Sequence, residues 1–531
     1  RCNQLNDKVF PVLASHGISK TNLYMAWDFT VASQENTTGR AVEIRDDAFA
    51  RLGDTNLANR TIEGSSPDVD VVAFCDLFDT ATPQCGNGAA QAPVPNSTYE
   101  QRTVRGFIRN VPCYLDANGC ATGSKFAYDS SGKLTWNTGY TMDVPFLCFI
   151  PRSVVSSGTV DPGGTGIYGH GLLGSLGQVR SSGSAREIAN VQNSSWCAGN
   201  WDGFSDSDFG TVAASLKDLS NFSKLTDRMQ QGFVNFMMLQ RALAHPNGFA
   251  VEDAFKMDHN VAAPITPGSA IDTSAGAGTR GFYQGHSQGG IMGGAYMALA
   301  PDVDRGVLGV PGINYSTLLT RSVDFDEYAH GVLGDNYIPG VGLYDNYPNK
   351  AELPLILSIM QILWDRGEGN GYAQTLNPAN SPLPNTNPHT VLLAVATGDH
   401  QVANITAEVE ARTIGAKVYS PMLQPSRIWP GQGFGIPTFT APLSSGNAMV
   451  YYDGGPPAFV GTRDNGTKPA PIENVPPRPQ WGFGDDPHGF PRNSPEGQAH
   501  EVSFLNGGVV GPCAGATYCY SNGWDGVTGL P

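Results

Sequence analysis

Between residues 279 and 300 an apolar strand pattern runs directly into a helix pattern, with only Gly285-His286-Ser287-Gln288-Gly289 at the joint. The strand side reads Thr279-Arg280-Gly281-Phe282-Tyr283-Gln284. The helix side, 290–300, is rich in small residues and is stopped by Pro301. A chain that turns from strand to helix in five residues must reverse sharply, and glycine at 285 and 289 removes the side chains that would block the turn. The next strand pattern is 306–310, so the unit is strand, helix, strand. Such a crossover belongs to parallel strands, because antiparallel neighbours need only a short hairpin.

Further strand patterns occur at 101–115, 144–150, 164–170, 195–203, Thr390–Ala396 and Ala448–Tyr452, with a long helical region over 212–244. Strands alternating with helices predict an α/β fold, a mostly parallel sheet covered by helices on both faces. Four segments are expected. They are an N-terminal accessory region over 1–98 with some strand, a first core part over 99–315, a helical cap or lid insertion over 316–388, and a second core part over 389–531. In the first, 23–31 reads as a strand, 44–52 as a short helix and 86–97 as a linker. The insertion holds the most apolar stretch of the chain, Leu353–Trp364, which also reads as a plain core helix. It is too short to span a bilayer.

The formal charge of −16 opposes binding to nucleic acid or to an anionic membrane. With 65 glycines and 38 prolines among 531 residues the chain is loop-rich, and its nine cysteines suit disulfide staples. Cys75/Cys85, Cys113/Cys120 and Cys513/Cys519 are spaced like small disulfide loops. Cys2, Cys148 and Cys197 remain, so at least one thiol is odd. This usage points to an oxidising compartment, secreted or periplasmic, and the start at Arg1-Cys2 reads as the result of leader removal.

A serine hydroxyl is a weak nucleophile at neutral pH. It needs a base in hydrogen-bond reach, a group that orients the base, and donors for the oxyanion. Ser287 at the turn is the candidate nucleophile. Here the chain resembles the α/β-hydrolase superfamily, and within it the secreted bacterial lipases and esterases. The resemblance is carried by Gly285-His286-Ser287-Gln288-Gly289-Gly290 and by Tyr168-Gly169-His170-Gly171-Leu172-Leu173-Gly174. It covers roughly 100–316 and 388–531 by motif order. It implies oxyanion donors at the backbone N–H groups of Leu172 and Gln288. It also implies an acid at Asp399, after the strand Thr390–Ala396, and a base at His488 in the terminal loop Asp485-Asp486-Pro487-His488. Asp365 is the reserve acid. His500, within a helix pattern, is a poorer base because a helix packed on a sheet holds its side chain still.

His170, Gly171, His286 and Trp364 are assigned to the substrate-binding surround. His170 would also support the oxyanion turn, and His286 and His400 could equally be structural neighbours of the key residues. The expected reaction is hydrolysis of a carboxylic ester, whether lipid, aryl ester or polyester, without a cofactor. A serine peptidase or amidase with the same triad and a non-catalytic binding protein of the same fold are the other readings. The segment 201–208, Trp-Asp-Gly-Phe-Ser-Asp-Ser-Asp, carries oxygen ligands at spacings that a structural calcium ion could use.

Overall fold

The computed structural model describes residues 2–23, 31–77, 84–85, 95, 98–155, 159–181, 183–257, 268–273, 281–333, 336–337, 339–456, 459–460, 463–464, 475–477, 482–513 and 517–527. The core of the expected strand at 23–31, nearly all of the linker at 86–97, and residues 279–280 lie outside them.

Among the described residues, twelve strands form one sheet. They are β1 (Asp68–Asp76), β2 (Gln84–Cys85), β3 (Glu100–Pro112), β4 (Thr141–Pro151), β5 (Gly164–Gly169), β6 (Ser194–Ala198), β7 (Gly281–His286), β8 (Val303–Gly309), β9 (Thr390–Ala396), β10 (Lys417–Tyr419), β11 (Thr438–Phe439) and β12 (Ala448–Tyr452). Their spatial order is β11-β10-β12-β9-β8-β7-β5-β6-β4-β3-β1-β2. From β11 through β6 all neighbours are parallel, and from β6 onward all are antiparallel. β1, which lies within the segment read as an accessory region, pairs with β3 in this sheet.

The parallel strands are apolar on both faces, as a sheet covered on both sides requires. In β9, Val391, Leu393 and Val395 enter one core while Leu392 and Ala394 enter the other. The larger core packs under helices α1 (Gln34–Leu52), α4 (Ser223–Ala244), α5 (Gln288–Leu299) and α7 (Asn404–Thr413). The opposite face is covered by α2 (Gly183–Gln192) and α8 (Pro495–Gly507), which supply Ile188, Ala189, Phe504 and Leu505. The long helical region is two helices, α3 (Phe209–Lys217) and α4, because Asp218 leaves the helical conformation and caps the next turn through Ser220 N.

α1 is longer than its sequence pattern suggested. Ser33 accepts a hydrogen bond from Asn36 N and starts the helix ten residues before Glu43-Ile44. Its first turns bury Thr37, Thr38 and Ala41, small residues that give no strong apolar period. α6 (Leu353–Trp364) matches its sequence limits and buries Leu357, Met360, Gln361 and Trp364.

Four disulfides join Cys75–Cys85, Cys113–Cys120, Cys148–Cys197 and Cys513–Cys519. Cys148–Cys197 ties directly opposed residues of β4 and β6, at the seam where parallel pairing gives way to antiparallel. No helix among the described residues is long and apolar enough to cross a membrane.

Candidate active site

The carboxyl ends of the parallel strands share one edge, where open α/β sheets offer a crevice to ligands. Ser287 stands at the end of β7 with φ 60° and ψ −124°, a conformation that L residues rarely adopt. Its N–H donates to Gly309 O of β8 at 3.0 Å. α5 begins at the next residue. The turn is tight enough that a Cβ on Gly285 would collide with Gly289 O, and one on Gly289 with Gly169 O. The turn after β5 lies against the serine, since a Cβ at Gly171 would sit 3.8 Å from Ser287 Cβ. Gly171 N is itself held by Gln178 Oε1 at 2.8 Å.

Leu172 and Gln288 thus border Ser287 on two sides and line one cavity with it. The first turn of α5 has backbone N–H groups without intrahelical acceptors, and the helix end favours negative charge. Gln288 is fixed by its side chain, whose Oε1 accepts from Tyr315 Oη.

Asp399 follows β9 in a turn. Its Oδ1 accepts from Gln401 N at 2.8 Å and Val402 N at 3.0 Å. His488 Nδ1 lies 3.0 and 2.9 Å from the two Asp399 oxygens, although 89 residues separate the pair. His488 Nε2 has no hydrogen-bond partner among the described residues. Burial works against the imidazolium, but Asp399, with Asp486 and Asp324, outweighs it and raises the His488 pKa above its ordinary value. The ends of β7 and β9 are separated by β8 alone, two strand spacings or roughly 10 Å.

Asp486 escaped the sequence reading. Its Oδ1 accepts from His488 N at 3.1 Å and His400 N at 3.4 Å, and its Oδ2 accepts from Gln401 Nε2 at 2.7 Å. One carboxylate thereby ties the histidine loop to the aspartate turn. The signal was present as Asp486-Pro487, the cap and first residue of a short helical turn.

The cavity at Ser287 has apolar walls that include Leu172, Phe204, Leu216, Phe222, Ile291 and Trp364. Asp324 is its one charged lining residue among those described, and burial raises its pKa to about 6. Trp364, assigned from sequence to the substrate surround, lines this cavity. His170 and His286 do not. His170 is fully buried, its Nε2 accepts from Trp201 N at 2.8 Å, and burial lowers its pKa to about 4. His286 points to the other sheet face, 3.8 Å from Glu501 of α8, and burial lowers its pKa too. Both are buried residues, His286 at the last position of β7 and His170 just past the end of β5.

The alternatives lie elsewhere. Asp365 Oδ1 accepts from Gln361 Nε2 and Asn370 Nδ2, and His500 Nδ1 meets Tyr452 Oη at 2.9 Å on the α8 face. In the 201–208 segment, Arg228 engages Asp202 at 2.9 Å and Asp208 at 2.7 Å. Asp208 also accepts from Gly203 N and Ser205 N.

No family model matches the sequence, and no curated protein sequence matches it. Among solved structures, acetyl xylan esterase 1 from Thermoanaerobacterium sp. is similar at 11% identity and TM-score 0.36, over 80% of this chain and 92% of that one. The S-formylglutathione hydrolase from Agrobacterium tumefaciens gives 10% identity and TM-score 0.30, over 68% and 90%. Pyrococcus horikoshii acylaminoacyl peptidase gives 12% identity and TM-score 0.28, over 62% of this chain and 36% of that one.

Proposed function

We propose that this protein is a secreted or periplasmic serine hydrolase of the α/β-hydrolase superfamily that cleaves carboxylic esters with an apolar acyl group. The observation that carries the reading is the His488–Asp399 pair, with its free Nε2, at the strand edge from which Ser287 opens into an apolar cavity. Four disulfides support the oxidising compartment.

In the reaction Ser287 Oγ attacks the ester carbonyl carbon while His488 Nε2 takes the hydroxyl proton. Asp399 holds the imidazole tautomer and stabilises the imidazolium. The N–H groups of Leu172 and Gln288 receive the oxyanion. Donors fixed before the reaction need no reorganisation, and losing one costs about 3 kcal/mol of transition-state stabilisation. The C–O bond to the alcohol breaks as His488 returns the proton to the leaving oxygen. Water, deprotonated by His488, then releases the acid and restores Ser287.

The test is hydrolysis of p-nitrophenyl esters by the intact chain and by Ser287→Ala. Turnover should favour octanoate over acetate and vanish in the variant, with unfolding temperature kept. Full activity in Ser287→Ala would overturn the reading. Cleavage of peptides with no ester turnover would move it to amide hydrolysis.

A further inference from the structure

A second cleft is lined in part by the Asp399 turn. It is lined by Arg321, by Ile405 and Arg412 of α7, and by Trp429 and Phe434, and it shares Asp399 with the candidate active site. Ser287 is not among its lining residues.

It holds two arginines and two carboxylates, but not in two pairs. Asp399 is occupied by His488 and by two backbone N–H groups. Arg412 is matched by Glu408 at 3.5 Å, and Glu408 also accepts from Gly433 N and Tyr451 Oη. Arg321 differs. Its one hydrogen bond among the described residues is from Nη1 to Thr317 O at 2.8 Å, and none of their carboxylates lies within ion-pair reach. Partial burial lowers its pKa, with no carboxylate opposing the effect. A guanidinium has five N–H donors in a planar fork, so most of this one remains available to an anion. Around it are apolar side chains left in contact with water, Ile405 at 37% exposure and Phe434 at 80%, with the indole of Trp429 nearly buried. In a chain of net charge −16, a partly desolvated cation beside open apolar surface selects for one chemistry.

We propose that this cleft binds an apolar monocarboxylate, with the carboxylate on Arg321 and the hydrocarbon against Ile405, Trp429 and Phe434. Inorganic anions would lack the apolar contact, and neutral alcohols would leave the guanidinium unmatched. The proposal goes beyond ester hydrolysis and does not depend on it.

The test is isothermal titration of the full chain carrying Ser287→Ala with octanoate, and with octanol as the uncharged control. Octanoate should bind saturably at one site, with octanol at least tenfold weaker. Arg321→Gln should weaken octanoate at least tenfold. Ile405→Glu, at an exposed position, should do the same with the unfolding temperature unchanged. Leu216→Trp, which fills the Ser287 cavity, should leave octanoate affinity within twofold. The proposal fails if no saturable binding appears, if octanol binds equally well, if Arg321→Gln has no effect, or if Leu216→Trp abolishes binding.

Discussion

Ser287 is held where its own backbone resists. A non-glycine residue at φ 60°, ψ −124° costs about 1–3 kcal/mol, and the surrounding turn sustains it. Glycine tolerates that region. Ser287→Gly should therefore raise the unfolding free energy by about 1 kcal/mol while removing ester turnover. A loss of stability in denaturant melts would contradict the strain. A second local cost lies under α5. Glu410 is fully buried with neither carboxylate oxygen hydrogen-bonded among the described residues, and burial followed by the charge of Glu368 raises its pKa well above the ordinary value. Burial also raises Glu368 to about 7, against the partial relief of Gln361 and two backbone N–H groups. A carboxyl with a raised folded pKa contributes stability below its unfolded pKa and loses it as pH rises through the folded value. Unfolding temperature should thus fall from about pH 4.5 upward on this account. The fall should be shallower in Glu410→Gln, and equal slopes in a pH series of thermal melts would refute it.

Elements differ in how plainly their sequences announce them. β9 and β12 sit inside the parallel sheet, so both faces are apolar and their limits coincide with the apolar runs. The nucleophile turn was equally plain, because steric demand leaves glycine little alternative. α1 was half hidden because small polar residues, Thr37 and Thr38, serve as its buried face. The cavity walls drawn from α3 and α4 were not legible, unlike Trp364 of α6, since their joining depends on the packing of helices far apart in sequence. α6 illustrates the limit of hydropathy. Its inner face buries Met360 and Trp364, yet Leu355, Ile359 and Ile362 are 62%, 55% and 57% exposed. Apolar character on both faces hid which was which. Met360→Ala should cost about 2–4 kcal/mol of stability, whereas Ile359→Lys should stay within about 0.5 kcal/mol. Comparable losses in urea melts would mean that the outer face is covered.

For the whole molecule, the pairing of Asp399 with His488 and of β1 with β3 shows how much depends on segments that meet only after the sheet forms. Cys148–Cys197 belongs to the same class. Its 49-residue separation gave no spacing signal, and the two cysteines become neighbours only as opposed positions of β4 and β6. A loop of that length should hold back the unfolded chain appreciably, so replacing both cysteines by alanine should lower stability by about 2–4 kcal/mol. An unchanged midpoint in denaturant would rule that out. The sheet order carries one more consequence. Among the described residues, the outermost strand on the parallel side, β11, is only two residues long. A strand that short offers an incoming chain scarcely one pair of backbone partners. At the β11 margin the sheet therefore gives an incoming chain little to pair with, and lateral growth there is discouraged.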